Sequence, residues 1–252
     1  MIKEQRISQV KQFIYSRQSV SLDELVSVFQ VSKNTIRRDV QELVESGEFT
    51  KIYGGVKAKE PKILESFQTR KVRSQPAKTA IGLAAARFVE DGDIIFIDSG
   101  TTTLEMFEGI FEKEITIVTN NLEFITRALP FDHLTVIVIG GMLERKTNAL
   151  GSPQNVELLK TYNVTKAFMA STGVSISNGV TNSSSLETEL KRTAVERSQQ
   201  SFLLIDHLKI NRYGLTTYCK LSDIDCIITD TDLPMEYAQY AEQHRIQTIK
   251  GE

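Results

Sequence analysis

The chain has 252 residues, 40% hydrophobic and 25% charged, which are ordinary globular values that exclude wholesale disorder. It holds no run of about 18 apolar residues, and its start, MIKEQRISQV, has no apolar leader core. Cys219 and Cys226, with the scattered His133, His207 and His244, support neither a disulfide framework nor a zinc site. A cytoplasmic protein is expected, with no membrane contact, bound metal or cofactor.

The net charge of −2 conceals an asymmetry. Residues 1–78 hold 15 Lys and Arg against 9 Asp and Glu, a balance of +6, while residues 79–252 hold 15 against 23, a balance of −8. A basic module suited to an anionic polymer precedes an acidic body.

Residues 2–17 predict a helix with Ile7, Val10 and Ile14 on one face and Phe13 beside them. A break at Gln18-Ser19-Val20 follows. Ser21-Leu22-Asp23-Glu24 then has the form of a capping box opening a short helix with Leu22, Leu25, Val26 and Phe29 inward. Ser32 is placed to cap the next helix, residues 33–46, whose inner face is Ile36, Val40, Leu43 and Val44 and which Gly47 would close.

Two helices across so tight a turn form a helix-turn-helix, whose second helix enters the DNA major groove by its N-terminal residues. That tip is Lys33, Asn34, Thr35, Arg37 and Arg38. Ser32 and the helix start suit a phosphate; Asn34 and Arg37 suit base edges. The Phe49–Tyr53 strand and the Gly54-Gly55 turn predict a wing that touches DNA through Lys51, Tyr53 or Lys57. The winged helix-turn-helix is assigned to residues 1–57.

Residues 58–78 read as a connector. Five basic residues lie between 62 and 78 against one acid, Glu65, and the apolar Ile63, Leu64 and Phe67 predict partial docking. A helix centred on 64–73 is expected.

Residues 79–252 form the third unit. Short apolar runs at 94–97, 115–118, 134–139, 167–169, 202–205 and 226–229 are spaced widely enough for helices between them. This pattern predicts a parallel sheet covered on both faces, a Rossmann-like α/β sandwich.

Ligands of such sheets bind beyond the carboxyl ends of the strands, where the polar residues gather. Asp98-Ser99-Gly100-Thr101-Thr102-Thr103 ends the first strand and opens a helix whose hydroxyls and amides can cradle a phosphate. It lacks the lysine of a nucleotide-triphosphate loop. Asn120 and Asn121 end the second strand, Gly140 and Gly141 the third with Arg145 and Lys146 beyond. The fourth ends in Ser171-Thr172-Gly173, the fifth in Asp206, with Lys209 three residues on.

The run 20–56 resembles the DNA-binding signature of the DeoR family of bacterial transcriptional regulators. The anchors are Val31-Ser32, Thr35-Ile36-Arg37-Arg38-Asp39, Leu43, Gly47 and Gly54-Gly55; Tyr53 stands where His often precedes the glycines. The family's sensor domain is matched by Asp98–Thr103, Val118–Asn121, Gly140-Gly141, Ala167-Phe168, Asn178-Gly179, Asp206 with Lys209, and Ile227–Asp230. The stretch around Thr181-Asn182 resembles the family's repressors of inositol catabolism.

The resemblance implies a sensor fold related to ribose-5-phosphate isomerase and an effector that is a phosphorylated sugar. Ser99–Thr103 would hold its phosphate, and Asn120, Asn121, Asp206 and Lys209 would read the rest. It implies a repressor of a carbohydrate or polyol operon, bound to double-stranded operator DNA at the nucleoid as a homodimer or homotetramer.

Catalysis as a sugar-phosphate isomerase with a DNA-binding appendage is the alternative. It would need a base near the sugar carbons. Asp98, Asp206 and Glu187 are the acids placed there, and Ser171–Ser175 stands where the isomerases carry paired acids. No catalytic residue is assigned.

Overall fold

A computed structural model describes residues 3–17, 19–45, 49–58 and 65–252. The N-terminal unit runs α1 (Lys3–Arg17), β1 (Ser19–Ser21), α2 (Leu22–Phe29), α3 (Lys33–Glu45), β2 (Phe49–Ile52) and β3 (Gly55–Ala58). Val10, Ile14, Leu25, Ile36 and Val40, at the helical spacings expected of them, are buried together with Phe49 and Val56 of the two wing strands. The Ser21 hydroxyl accepts from the Glu24 amide at 3.0 Å. Gln30 closes α2 in the left-handed region, φ 51°. Ser32 accepts from the Thr35 amide at 3.2 Å. Gly47 lies outside the described residues.

The expected break after α1 is instead β1, antiparallel to β3, which also pairs with β2. This third strand was illegible in sequence because Ser19-Val20-Ser21 is too short to show a period. It requires Gly55: a Cβ there would sit 2.4 Å from the Val20 carbonyl oxygen.

Of the connector, residues 59–64, Ile63 and Leu64 among them, lie outside the described residues. The rest holds α4 (Phe67–Val72) and the start of α5 (Gln75–Ala86). Phe67 is buried in the core of the C-terminal unit, and its amide donates to the Lys146 carbonyl at 2.8 Å.

The C-terminal unit continues with β4 (Ile94–Ile97), a 3-10 turn (Thr103–Met106), α6 (Phe107–Ile110), β5 (Thr116–Thr119), α7 (Leu122–Ala128) and β6 (Thr135–Val138). Next come β7 (Met142–Glu144), β8 (Ala149–Gly151), α8 (Asn155–Lys160), β9 (Lys166–Ala170), β10 (Gly173–Ser175), β11 (Gly179–Asn182) and α9 (Ser185–Arg197). The chain closes with β12 (Gln200–Leu204), a 3-10 turn (His207–Lys209), β13 (Thr216–Cys219), β14 (Cys226–Thr229), α10 (Met235–His244) and β15 (Gln247–Lys250).

Seven strands form one parallel sheet in the order β15-β14-β12-β9-β4-β5-β6. Each expected apolar run lies on one of its strands. Two buried clusters cover the faces: one holds Ile95, Ile97, Phe124, Phe168 and Phe202, the other Phe96, Val118, Met169, Leu203 and Tyr218. Alternate residues of one strand therefore feed opposite cores.

From β4 the order proceeds one way through β5 and β6, and the other way through β9, β12, β14 and β15. The chain thus reverses direction between β4 and β9, which opens a crevice at their carboxyl ends. Two smaller sheets, β10-β11-β13 and β7-β8, were not legible in the sequence.

Candidate functional site

On the N-terminal unit, α3 buries Ile36, Asp39, Val40 and Leu43 and leaves Lys33, Asn34, Arg37 and Arg38 exposed. Thr35 is half-buried, and its hydroxyl meets that of Ser32 at 2.9 Å. The hydroxyl of Ser32 is therefore engaged in capping α3. Lys33 pairs with Asp23. The β2–β3 hairpin turns at Tyr53-Gly54, with Gly54 at φ 70° and Tyr53 fully exposed at the tip. Lys51 and Lys57 are also exposed, Lys51 contacting Gln41.

One pairing in this unit escaped the sequence reading. The buried Asp39 takes both its carboxylate oxygens to Arg6 of α1, at 2.6 Å from Nε and 3.1 Å from Nη2. This bidentate pair fixes the helix that carries the exposed basic row.

In the C-terminal unit the crevice centres on Asp98, at the end of β4. Its Oδ1 accepts from the Gly100 amide (2.9 Å) and the Thr103 hydroxyl (2.7 Å). Its Oδ2 accepts from the Ala170 amide (2.8 Å) and from the Lys191 ammonium of α9. Lys191 also donates to the Ala170 carbonyl (3.0 Å) and lies over the Tyr218 ring. Asp98 and Lys191 are both buried. The carboxylate thus folds the Ser99–Thr103 loop and ties β4 to β9.

Gly100 is needed there because a Cβ would fall 2.3 Å from the Ala170 methyl carbon. Ser99, Thr101 and Thr102 line the loop, all buried. Asn121 donates to the carbonyls of Asp98 (3.2 Å) and Gly100 (3.3 Å) and caps α7 through the Phe124 amide. Asn120 donates to the Leu150 carbonyl (3.1 Å). Beyond Asn120 opens a cavity of about 380 Å³, lined also by Leu150, Ser152, Asn155, Glu187 and Leu190.

Other expected residues are placed differently. Arg145 and Lys146 are exposed on the β7–β8 turn, and the Lys146 carbonyl anchors α4. Gly141, at φ 139°, allows β7 to approach Gly151, whose carbonyl oxygen would lie 2.3 Å from a Cβ. Gly173 packs against the Arg212 backbone, 2.4 Å from where a Cβ would sit. Asp206 is buried and accepts from the Leu208 amide at 3.0 Å.

Lys209 is half-buried. Burial pulls its ammonium below the usual value, opposed by Asp206 and reinforced by Arg70 and Arg73. Lys78, fully buried, is pulled to about 8 by burial, against the charge of Asp206 and with that of Lys209. Its ammonium caps α4 on the carbonyls of Arg70 and Lys71. Lys78, Arg70 and Lys191 were not read as site residues: they lie on helices, where a charged residue looks like solvated surface until the tertiary fold buries it.

A winged helix-turn-helix with an exposed basic row, joined to an α/β unit with a polar crevice at its strand ends, defines a ligand-sensing DNA-binding regulator. Residues 6–62 match the DeoR-like helix-turn-helix domain and residues 73–231 the DeoR C terminal sensor domain. The chain belongs to the DeoR family and is a DNA-binding transcriptional regulator.

It is 41% identical over 246 residues to the HTH-type transcriptional regulator IolR of Bacillus subtilis, covering 97% of this chain and 98% of that one. It is 31% identical to the lactose phosphotransferase system repressor of Staphylococcus epidermidis, covering 92% and 94%. Ribose 5-phosphate isomerase A from Methanocaldococcus jannaschii superposes with a TM-score of 0.39 at 15% identity over 54% of each chain. Among the described residues, no helix is long and apolar enough to cross a membrane.

Proposed function

We propose that this regulator represses an operon of carbohydrate or polyol catabolism and leaves its operator when a phosphorylated sugar fills the crevice at the strand ends. The observation that carries this reading is the chemistry of the crevice. Buried hydroxyls of the Ser99–Thr103 loop lie on the same sheet end as Asp206 and Lys209, with Lys78, Arg70 and Arg73 within electrostatic reach of Lys209. The printed names of the relatives, IolR and a lactose phosphotransferase system repressor, support the repressor role and the sugar context. Acting on paired half-sites, the protein works as a homodimer or homotetramer at the nucleoid.

Binding without turnover is the corollary. An isomerase base must be free to take a proton from carbon. The Asp98 carboxylate instead has both oxygens committed to four hydrogen-bond donors, one of them an ammonium, so neither is turned to a substrate carbon. Asp206 caps its own turn.

The test is an operator-release titration with pentose and hexose phosphates, run beside a turnover assay on the same compounds. Release without turnover is expected. Turnover would establish the isomerase alternative. Lys209→Met should then need a higher concentration of the inducing compound for release, since a ligand shifts the DNA-bound equilibrium only by its differential affinity. Superimposable release curves would remove Lys209 from the ligand site.

A further inference from the structure

Lys11 of α1 reaches out of the N-terminal unit, and its ammonium donates to the side-chain oxygen of Asn178, on the β10–β11 turn, at 2.8 Å. The two residues are 167 apart in sequence and both are half-buried. A charged donor makes this a strong hydrogen bond for its degree of exposure.

The acceptor is held in place by its own unit. The Asn178 amide and its side-chain nitrogen both donate to the Ser175 hydroxyl, each at 3.1 Å, and its carbonyl accepts from the Thr217 hydroxyl of β13 at 2.9 Å. Gly179, at φ 70°, lets the turn lie on β13, since a Cβ there would meet the Cys219 carbonyl oxygen at 2.4 Å. The side-chain oxygen of Asn178 is therefore presented to α1 by a stiff turn.

The other end of the same hairpin stands at the crevice. β10 starts at Gly173, three residues after Ala170, whose amide binds Asp98. β11 ends at Asn182, whose side-chain nitrogen donates to the Ser184 carbonyl (3.0 Å) and to Glu187 (3.4 Å). β13 ties the small sheet to the same centre, because the Tyr218 hydroxyl donates to the Ala170 carbonyl (3.2 Å) and its ring lies under the Lys191 ammonium. From Asn178 to Asn182 the strand spans roughly 13 Å.

On the DNA-binding side α1 carries two anchors. Arg6 grips Asp39 of α3, and Lys11 stands five residues on, about 7.5 Å along the axis and about 140° around it. One helix thus holds the recognition helix with one side and the sensor with another.

We propose that the β10–β11 turn is the docking surface for α1, and that the Lys11–Asn178 hydrogen bond couples the strand-end crevice to α3. A coupling element needs two arrangements that both sites bias, and this contact is either made or broken. A hydrogen bond to a charged group shifts an equilibrium by about tenfold or more, within the range of couplings between sites, about fivefold to 150-fold. The ligand end of this coupling rests on the effector reading above; the DNA end does not.

The experiment uses the full chain as wild type, Lys11→Met, Asn178→Leu, Asn178→Asp and the double variant Lys11→Met with Asn178→Leu. Fluorescence anisotropy measures operator affinity with and without a pentose or hexose monophosphate that releases the wild type. Lys11→Met and Asn178→Leu should each shrink the factor by which that compound weakens operator binding, by about threefold to tenfold. The double variant should shrink it no further. Calorimetry without DNA should give the wild-type affinity for the compound in Lys11→Met. Asn178→Asp should keep the full factor, since a carboxylate accepts from Lys11 and the Ser175 hydroxyl is able to donate to it.

Amide hydrogen exchange over residues 173–182, with and without operator DNA, reads the same coupling from the other end and needs no effector. Operator should alter exchange there in the wild type and leave it unaltered in Lys11→Met, because coupling is reciprocal. Lys11→Met lies outside the sensor, so it decides the matter even if Asn178→Leu fails to fold. If the release factor and the exchange response are the same in the wild type and Lys11→Met, the proposal is overturned while the effector reading stands. Equal loss of affinity for operator and random DNA with an unchanged factor makes Lys11 a phosphate contact and overturns it as well. If no phosphorylated compound releases the wild type, the effector reading falls, and the exchange response alone then upholds or overturns the coupling.

Discussion

Lys191 reaches from α9 to Asp98 at the end of β4, and the pair lies buried where the two directions of the sheet diverge. With Asp98 also holding the Gly100 and Ala170 amides, one carboxylate organises the phosphate-loop candidate and joins the two halves of the sheet.

Breaking this pair on one side should therefore damage the fold more than removing it whole. Asp98→Asn leaves a buried ammonium without its counter-charge, and should cost about 3–5 kcal/mol of stability in urea denaturation. Adding Lys191→Met should recover part of that loss. Additive single-variant losses would show that the two side chains act independently.

Lys78 gives stability an unusual pH dependence. Its folded pKa is about 8 against an ordinary 10.5, so between those values the unfolded chain binds a proton that the native state does not. Native stability then rises with pH across that window, and below about pH 8 the opposing cost of the buried charge is constant. Lys78→Met lacks this rise. The gap in unfolding free energy, wild type minus variant, should widen from pH 8 towards pH 10.5; a constant gap would place the Lys78 ammonium in ordinary solvent.

Arg37 stands exposed on α3 between the inward Ile36 and Val40. Arg37→Ala should retain the melting midpoint and lose about 1–3 kcal/mol of operator binding, with relaxed preference at one base position. Equal weakening on operator and random DNA would instead make it a phosphate contact, and unchanged binding would put it outside the interface.

The boundary expected at residue 79 cuts α5, which begins at Gln75, and discards Phe67 from the core. A fragment of residues 65–252 should therefore be more stable than one of residues 79–252 by about 3 kcal/mol or more, the usual loss for a buried phenylalanine. Equal denaturation midpoints with equal slopes would show that α4 docks without contributing to the fold.

The legible part of the fold was the part written in local periodicity. Ile94–Ile97 and Cys226–Thr229 are strands at the expected residues because a strand buried on both faces is apolar at every position. Edge strand β15 (Gln247–Lys250) was not read, since one exposed face and an edge position leave it mostly polar. β10 and β11 were missed for another reason: they are buried at every position yet rich in Gly, Ser, Thr and Asn, and their polar groups are satisfied within the hairpin, as the Thr181 hydroxyl is by the Gly173 carbonyl.

At the candidate sites the division is between position along the chain and burial. Ser32, Thr35, Arg37, Asp98 and Asn121 could be picked out because caps, helix tips and strand ends have local signatures. Which of them face solvent, and which serve the fold, depended on partners 33 to 93 residues away: Arg6 for Asp39, Lys191 for Asp98. Arg70 shows the limit most clearly. Its neighbours in sequence describe a basic connector, and only the docking of Phe67 and the cap from Lys78 turn that arginine inward. The cost of burying a charge depends on the surrounding dielectric and partner charges, and those are assembled by long-range packing that no local window of sequence contains.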